Sequence, residues 1–467
     1  MVRTILFLLS LGIYVHASCV ASLLYFQDCH EVVPVPRHNA TWGGLARLAT
    51  VLKAHNTSHT DIVFGGDLAG GTLFGAVYKG VPMIDAFNQL GVSLANFGQH
   101  DFDFGYRHTL DLRRESHFPW ISSNLLNAST HMPFVNTTHI VRQHGNLCVG
   151  YLGLTTDMNS TVDAGILEEP IIDASRRAVA ALGDVDAIVA VTQLNNASAW
   201  ALMQAVPSIR VLLHEEDSAE SLGSVDKVSP GRFIVSPRGD YGTVTEVSFA
   251  KTDVDTEVHI HVYNVDGSVP EDPEFLCLQT KLERALNETL AERVGTAPQP
   301  FSAAETGYLV TDSYRHQSGA QLAWQGSGGI RATIPAGPIT LRSLYSVLPF
   351  GNALAVICVT GADVETALQR TLGAATDTTS FPYVSGMEYA YTRYGAHYRL
   401  VNVTVDGRRL DTRAPYTLVL PNFHVSDVFS NATFQTKNIS TDVFALIHAV
   451  QAWHTVRPSP SRSILVS

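Results

Sequence analysis

The stretch SLLYFQDCHE, residues 22–31, sets the reading of this chain. An apolar run fit for a buried strand is followed at once by Asp28 and His30. Alternation turns positions i and i+2 to one side, so a carboxylate and an imidazole can grip one cation at a strand end. The runs DIVFGG (61–66), LCVGYLG (147–153), DAIVAVT (186–192) and RVLL (210–213) repeat the apolar part of this pattern. Between the first two lies GGLARLATVLKAH (43–55), with Leu45, Leu48 and Leu52 at helical spacing. Strands alternating with helices predict an α/β layered domain whose reactive residues stand on loops at strand ends.

Further on, EDPEFLCLQTKLERALNETLAERV (271–294) reads as one helix, with Pro273 near its start and Gly295 just after it. It is expected to link two unequal halves, as a segment over 269–296 between domains at 22–268 and 297–467. The second half holds the Gly-rich GSGGIRA, a helix at 361–372, and strand-like EYAYTRY, YRLVNVTV and YTLVLPNF, an α+β pattern. With 467 residues, 45% apolar and 16% charged, the chain has material for large cores, which excludes a disordered protein. The formal net charge is −12, and there is no basic block to serve as a footprint for nucleic acid.

Residues 1–21 combine Arg3, an apolar run from Ile5 to Val15 and small residues near Ala17 and Ala21, the layout of a secretory signal. Ten N-x-S/T sequons follow, at Asn39, Asn56, Asn127, Asn136, Asn159, Asn196, Asn287, Asn402, Asn431 and Asn438. Together these predict a secreted glycoprotein. The polar end RPSPSRSILVS lacks the tail of a lipid anchor, so no membrane anchor is expected. Cys29 and Cys148 sit in strand-like runs and are expected to be buried thiols, while the sequence leaves Cys277 and Cys358 undecided.

Beyond Asp28 and His30, GGDLAGGTL (65–73) places Asp67 among glycines after the second strand, where a carboxylate could bridge two metals. FGQHDFDFG (97–105) adds His100 with Asp103 three residues on, a carboxylate able to orient an imidazole for proton donation or oxyanion stabilisation. These motifs, with KGVPMIDAFNQLGVSLANFGQHDFDFG (79–105), SSNLL (122–126) and VGYLGLTTD (149–157), resemble in collinear order the 5'-nucleotidase and apyrase family. The resemblance implies a calcineurin-like metallophosphatase domain, a layered β-sandwich with flanking helices. Asp28, His30 and Asp67 would be metal ligands and His100 with Asp103 the catalytic dyad. It also implies two divalent cations, attack by water on phosphorus, and rotation of a C-terminal domain that carries substrate to the metals.

The family's Asn before the catalytic His is Gln99, one metal-binding His is Gln193 in AVTQLNN, and the G-H-x-H histidines become Glu216 and Ser218 in HEEDS. Two expectations compete. Either the site has decayed to a nucleotide-binding relic, or the oxygens of Gln99, Gln193 and Glu216, with Asp67, hold Mg²⁺, Mn²⁺ or Ca²⁺ in preference to zinc. His214 is a potential substitute ligand. In the second half, TGYLVTDSY, QGSGGIRATIPAGPITLRSLYSVLPFGNAL, VTGADVETAL, YVSGMEYAY and YTLVLPNF resemble the family's α+β C-terminal domain. Arg331 would contact phosphate, Phe350 and Phe423 would sandwich the base, and Asn352 in LPFGN would line the same site. Here too there are departures: Gly326 replaces an Asn, and Phe429 falls where the ribose-gripping Asp belongs. The expected partner is a small nucleotide or nucleoside.

Overall fold

The structure, a computed structural model, describes residues 20–466 except 38, 71, 157, 159–164, 216–220, 253–254, 350, 376 and 430–432. The signal segment, apart from its last two residues, thus lies outside the described residues. So do Cys19, Glu216, Ser218, Phe350 and the sequons at Asn159 and Asn431.

In the N-terminal half two six-stranded sheets face each other. The first runs in the order Thr256–Asn264, Thr243–Lys251, Val20–Phe26, Thr60–Phe64, Leu94–Asn96, Trp120–Ile121. The second runs Ser224–Ser229, Arg232–Ser236, Val211–Leu213, Ala187–Gln193, Leu147–Thr155, His139–His144. The run 22–26 shows why such strands read as continuously apolar. Leu24 and Phe26 enter a core beneath the helix Leu45–His55. Leu23 and Tyr25 enter the core between the sheets, against Tyr151, Val189 and Val191. Both faces of the strand are therefore covered, and each fully buried Leu or Phe stabilises by about 1.5–3 kcal/mol.

Val20–Phe26, Thr60–Phe64 and Leu94–Asn96 are mutually parallel, so their C-terminal ends deliver residues 27–30, 65–70 and 97–103 to one edge. In the second sheet Leu147–Thr155, Ala187–Gln193 and Val211–Leu213 are likewise parallel. The amide of Asn96 donates to Leu154 O at 3.2 Å and so ties the two sheets together near that edge.

The expected helix over 271–294 is shorter. It spans Pro273–Leu290, capped by Asp272, whose carboxylate accepts from the Glu274 and Phe275 N–H groups. Arg293–Ala297 is instead a strand paired with Gly337–Thr340. Phe275, Leu276, Leu278 and Leu282 pack into the N-terminal core, Leu290 joins the C-terminal one, and Leu286 touches both.

The C-terminal half is built on a five-stranded sheet ordered Tyr383–Ser385, Leu322–Gln325, Pro415–Pro421, Ala353–Thr360, Thr433–Thr441, beside a smaller four-stranded sheet. Helix Ala303–Ser318 starts with a Ser302/Glu305 capping box and packs against helix Asp442–Trp453. Among the described residues no disulfide joins the four cysteines: Cys29 is buried, Cys148 and Cys358 half-buried and Cys277 exposed. Cys148 is thus less enclosed than its apolar run suggests. No helix of the described residues is long and apolar enough to cross a membrane.

Candidate active site

Asp28 and Asp67 follow parallel strands and both take positive φ, 54° and 64°. This left-handed conformation is tolerated best by Gly, Asn and Asp. The turn at Asp67 also needs a glycine opposite, because a methyl carbon on Gly98 would collide with Asp67 Oδ1. Asp67 Oδ1 accepts the His100 backbone N–H at 2.8 Å. Asp101 locks the two loops together, accepting from the N–H groups of Gly98 (2.9 Å), Leu68 (2.9 Å) and Asp67 (3.1 Å). The sequence reading passed over Asp101, although its place between two functional positions in HDFD was a signal.

His100 and Asp103 are brought together as expected, Nδ1 to Oδ2 at 2.9 Å, across a short 3-10 turn that aligns positions i and i+3. Burial alone would lower the His100 pKa, but Asp103, with Asp67 and Asp101, overcomes that and raises it to about 10. Burial pushes Asp67 up to about 7, opposed by His100. Burial pushes His30 down to about 3, with His100 adding to the effect; the two rings are 6.3 Å apart. The result is a cationic imidazole set among acids, suited to meeting negative charge that develops on a bound oxyanion.

Around this centre Gln27 is a residue that the sequence reading missed. Its Nε2 donates to Asp28 Oδ2 at 2.9 Å, while its Oε1 accepts from Tyr25 O–H at 2.5 Å. His214 is buried, with Nδ1 3.1 Å from Leu194 O. Gln193 is fully buried at its strand end, and among the described residues neither of its amide atoms has a hydrogen-bond partner. His30 Nδ1 and Asn96 Oδ1 are in the same state. Each such atom costs about 1–3 kcal/mol unless something satisfies it. Gln99 is half-buried at the start of the 3-10 turn. Even so, among the described residues no three His, Cys, Asp or Glu side chains converge as a metal-holding group. The donors therefore do not form a ready-made nitrogen-rich pair of metal positions. They are compatible with a cation completed by amide oxygens.

A narrow cleft, with a cavity volume of about 20 Å³, joins this centre to the C-terminal half, lined by Gly70, Thr72, Asp103 and Phe104 on one side and Tyr345, Pro349, Gly351 and Phe444 on the other. Asn352 follows the lining residue Gly351 but is not itself part of that lining; its Nδ2 donates to the buried Asp442 at 2.9 Å. Arg331 and Phe423 are placed outside that lining, both exposed; Arg331 Nη1 donates to Gly328 O at 3.3 Å. Phe429 packs edge-on against Trp324 with centroids 5.7 Å apart, a core position.

The family described as 5'-nucleotidase, C-terminal domain, matches residues 285–433. The chain is 25% identical to the trifunctional nucleotide phosphoesterase protein YfkN of Bacillus subtilis (strain 168) over 72% of its own length, but spans only 27% of that protein. With the 5'-nucleotidase of Bos taurus it is 25% identical, covering 82% of this chain and 78% of the relative. The crystal structure of a 5'-nucleotidase precursor from Thermus thermophilus superposes over 96% of this chain and 99% of that one, with TM-score 0.63 and 22% identity, a likeness of fold. A layered α/β half followed by a matched C-terminal domain, in the order that the motifs predicted, makes this chain similar over most of its length to 5'-nucleotidases.

Proposed function

We propose that the chain is a secreted phosphohydrolase of extracellular nucleotides, and the observation that carries this is the His100–Asp103 pair held against Asp67 in a buried acidic cluster. Asp28, His30 and Asp67 would hold a divalent cation, with Gln99, Gln193 and Glu216 as oxygen donors to it or to a second ion. Mg²⁺, Mn²⁺ or Ca²⁺ suits these ligands better than zinc. When bound there, such a cation would supply Lewis-acid polarisation of a phosphoryl oxygen and a more acidic water. The chain's own residues do the rest. Asp103 fixes the imidazole through Nδ1, so His100 can donate from Nε2 to the phosphoryl oxygen as charge builds on it. Gln27, anchored by Tyr25, orients the Asp28 carboxylate. Arg331 grips phosphate, Phe350 and Phe423 stack the base, and Asn352 contacts the nucleotide from the cleft rim. The test is phosphate release from AMP, ADP and UDP-sugars by purified protein with Mg²⁺, Mn²⁺, Ca²⁺, Co²⁺ or Zn²⁺; no release with any of them rejects the proposal.

A second reading, a nucleotide-binding protein without turnover, is favoured by one observation, the unpartnered and buried Gln193 amide where an imidazole is expected. Calorimetry would then show AMP or adenosine binding with no product formed. Absence of binding removes this reading.

A further inference from the structure

The C-terminal half holds an imidazole that no motif singled out. A methyl carbon built on Gly326 would lie 2.7 Å from Nε2 and 2.9 Å from Cε1 of His424. No side chain fits at 326 while that ring stays in place, so His424 fills the space beside Gly326. The Gly-rich loop is fixed at its root: Tyr314 O–H donates to Gln325 Oε1 at 2.7 Å, and Gln325 Nε2 donates to Gly326 O at 3.0 Å. It continues through the turn Ser327–Gly329 to Arg331, whose backbone N–H is held by Val347 O at 3.0 Å. His424 also neighbours the exposed ring of Phe423, with centroids 4.1 Å apart and planes at 40°. One imidazole thus touches both the aromatic platform and the loop that leads to the phosphate-gripping arginine.

We propose that His424 is a substrate-contact residue, its Nε2 hydrogen-bonding an oxygen on the sugar-phosphate part of a nucleotide whose base stacks on Phe423. This rests on the nucleotide reading above and adds to it a polar contact that replaces the Asn lost at 326.

The test is calorimetry on the full-length protein with adenine, adenosine and a non-hydrolysable phosphonate analogue of AMP. His424→Ala should weaken the phosphonate about 10-fold, as for a hydrogen bond to a charged group, and leave adenine unchanged. Adenosine weakened equally assigns the contact to the ribose, and adenosine unchanged assigns it to the phosphate; either supports the proposal. Gly326→Ala should produce a similar loss alone and none in the His424→Ala background, while His424→Gln should recover part of the affinity. Unchanged phosphonate binding in His424→Ala, or an equal loss of adenine binding, overturns the proposal while the nucleotide reading stands. A wild-type protein that binds none of the three ligands overturns both.

Discussion

Asp67 and Asp101 are 1% and 0% exposed, and the N-terminal centre is a set of crowded polar groups under a protein roof; Phe423, 48% exposed, and Arg331 stand open to solvent in the C-terminal half. The difference governs what a substitution leaves behind. In the enclosed centre, Gln193 leaves two amide atoms without partners among the described residues. On the open side, the room that Gly326 leaves without a side chain is occupied by the neighbouring ring of His424. Water can satisfy an orphaned group at the surface but not in the interior, so the enclosed centre records its changes as strain on stability and the open one as altered contacts.

The comparison breaks most visibly at the dyad. His100→Ala should lower phosphate release about 10²–10⁴-fold, read as initial rates at saturating AMP, while nucleotide binding by calorimetry stays near wild type. Equal loss of both would show that the two sites are not separable.

Next in size is Asp442, the buried carboxyl that accepts from Asn352, which burial raises from 3.8 to about 7 against the opposing pull of its hydrogen bonds. The folded state then holds a proton that the unfolded state releases between about pH 4 and pH 7. Stability conferred by that proton is present at low pH, falls as pH rises through this window, by at most about 1.4 kcal/mol per pH unit, and is flat above it. Asp442→Asn should remove this slope from denaturant titrations at pH 5 to 8. An unaltered slope would show that the carboxyl titrates normally.

Phe423→Ala should weaken adenosine by about 1–3 kcal/mol, the usual worth of one base–aromatic stack, without changing the melting temperature. The smallest effect sharpens the view of the enclosed centre. Gln193→Leu removes two unpartnered atoms and should stabilise metal-free protein by about 1–2 kcal/mol in urea titrations, while reducing the stabilisation that added Mn²⁺ provides. Destabilisation of the metal-free form would mean that the amide is already satisfied.

The fold was legible where periodicity was strong. The buried runs at 22–26, 61–64 and 187–192 became strands because apolar side chains on both faces suit only a covered parallel sheet. The dyad was legible because His100 and Asp103 are three apart and a local turn suffices to join them. What escaped depends on distant partners. Asp101 matters through the N–H groups of Leu68 and Asp67, and His424 through a glycine nearly a hundred residues earlier; Gln27 is different, since its partners Tyr25 and Asp28 are sequence neighbours and it escaped because no motif marks it. Phe429 was aligned to a sugar contact, but its large apolar ring gains more by burial against Trp324 than by exposure at a binding site. The helix over 271–294 was read too long because Arg293–Ala297 joins a strand partner some forty residues away.

The helix Pro273–Leu290 is moored at both ends. Its first turns are bonded to Ala46 and ion-paired with Lys53, and Leu290 is seated in the opposite core. It therefore acts as a splint. A large swing of one half against the other must first unseat Leu290, at a cost of about 1.5–3 kcal/mol, or bend the rod near Leu286. A disulfide clamp or a proline near Leu286 would thus be a brake or a release on the whole molecule, far from any reacting atom.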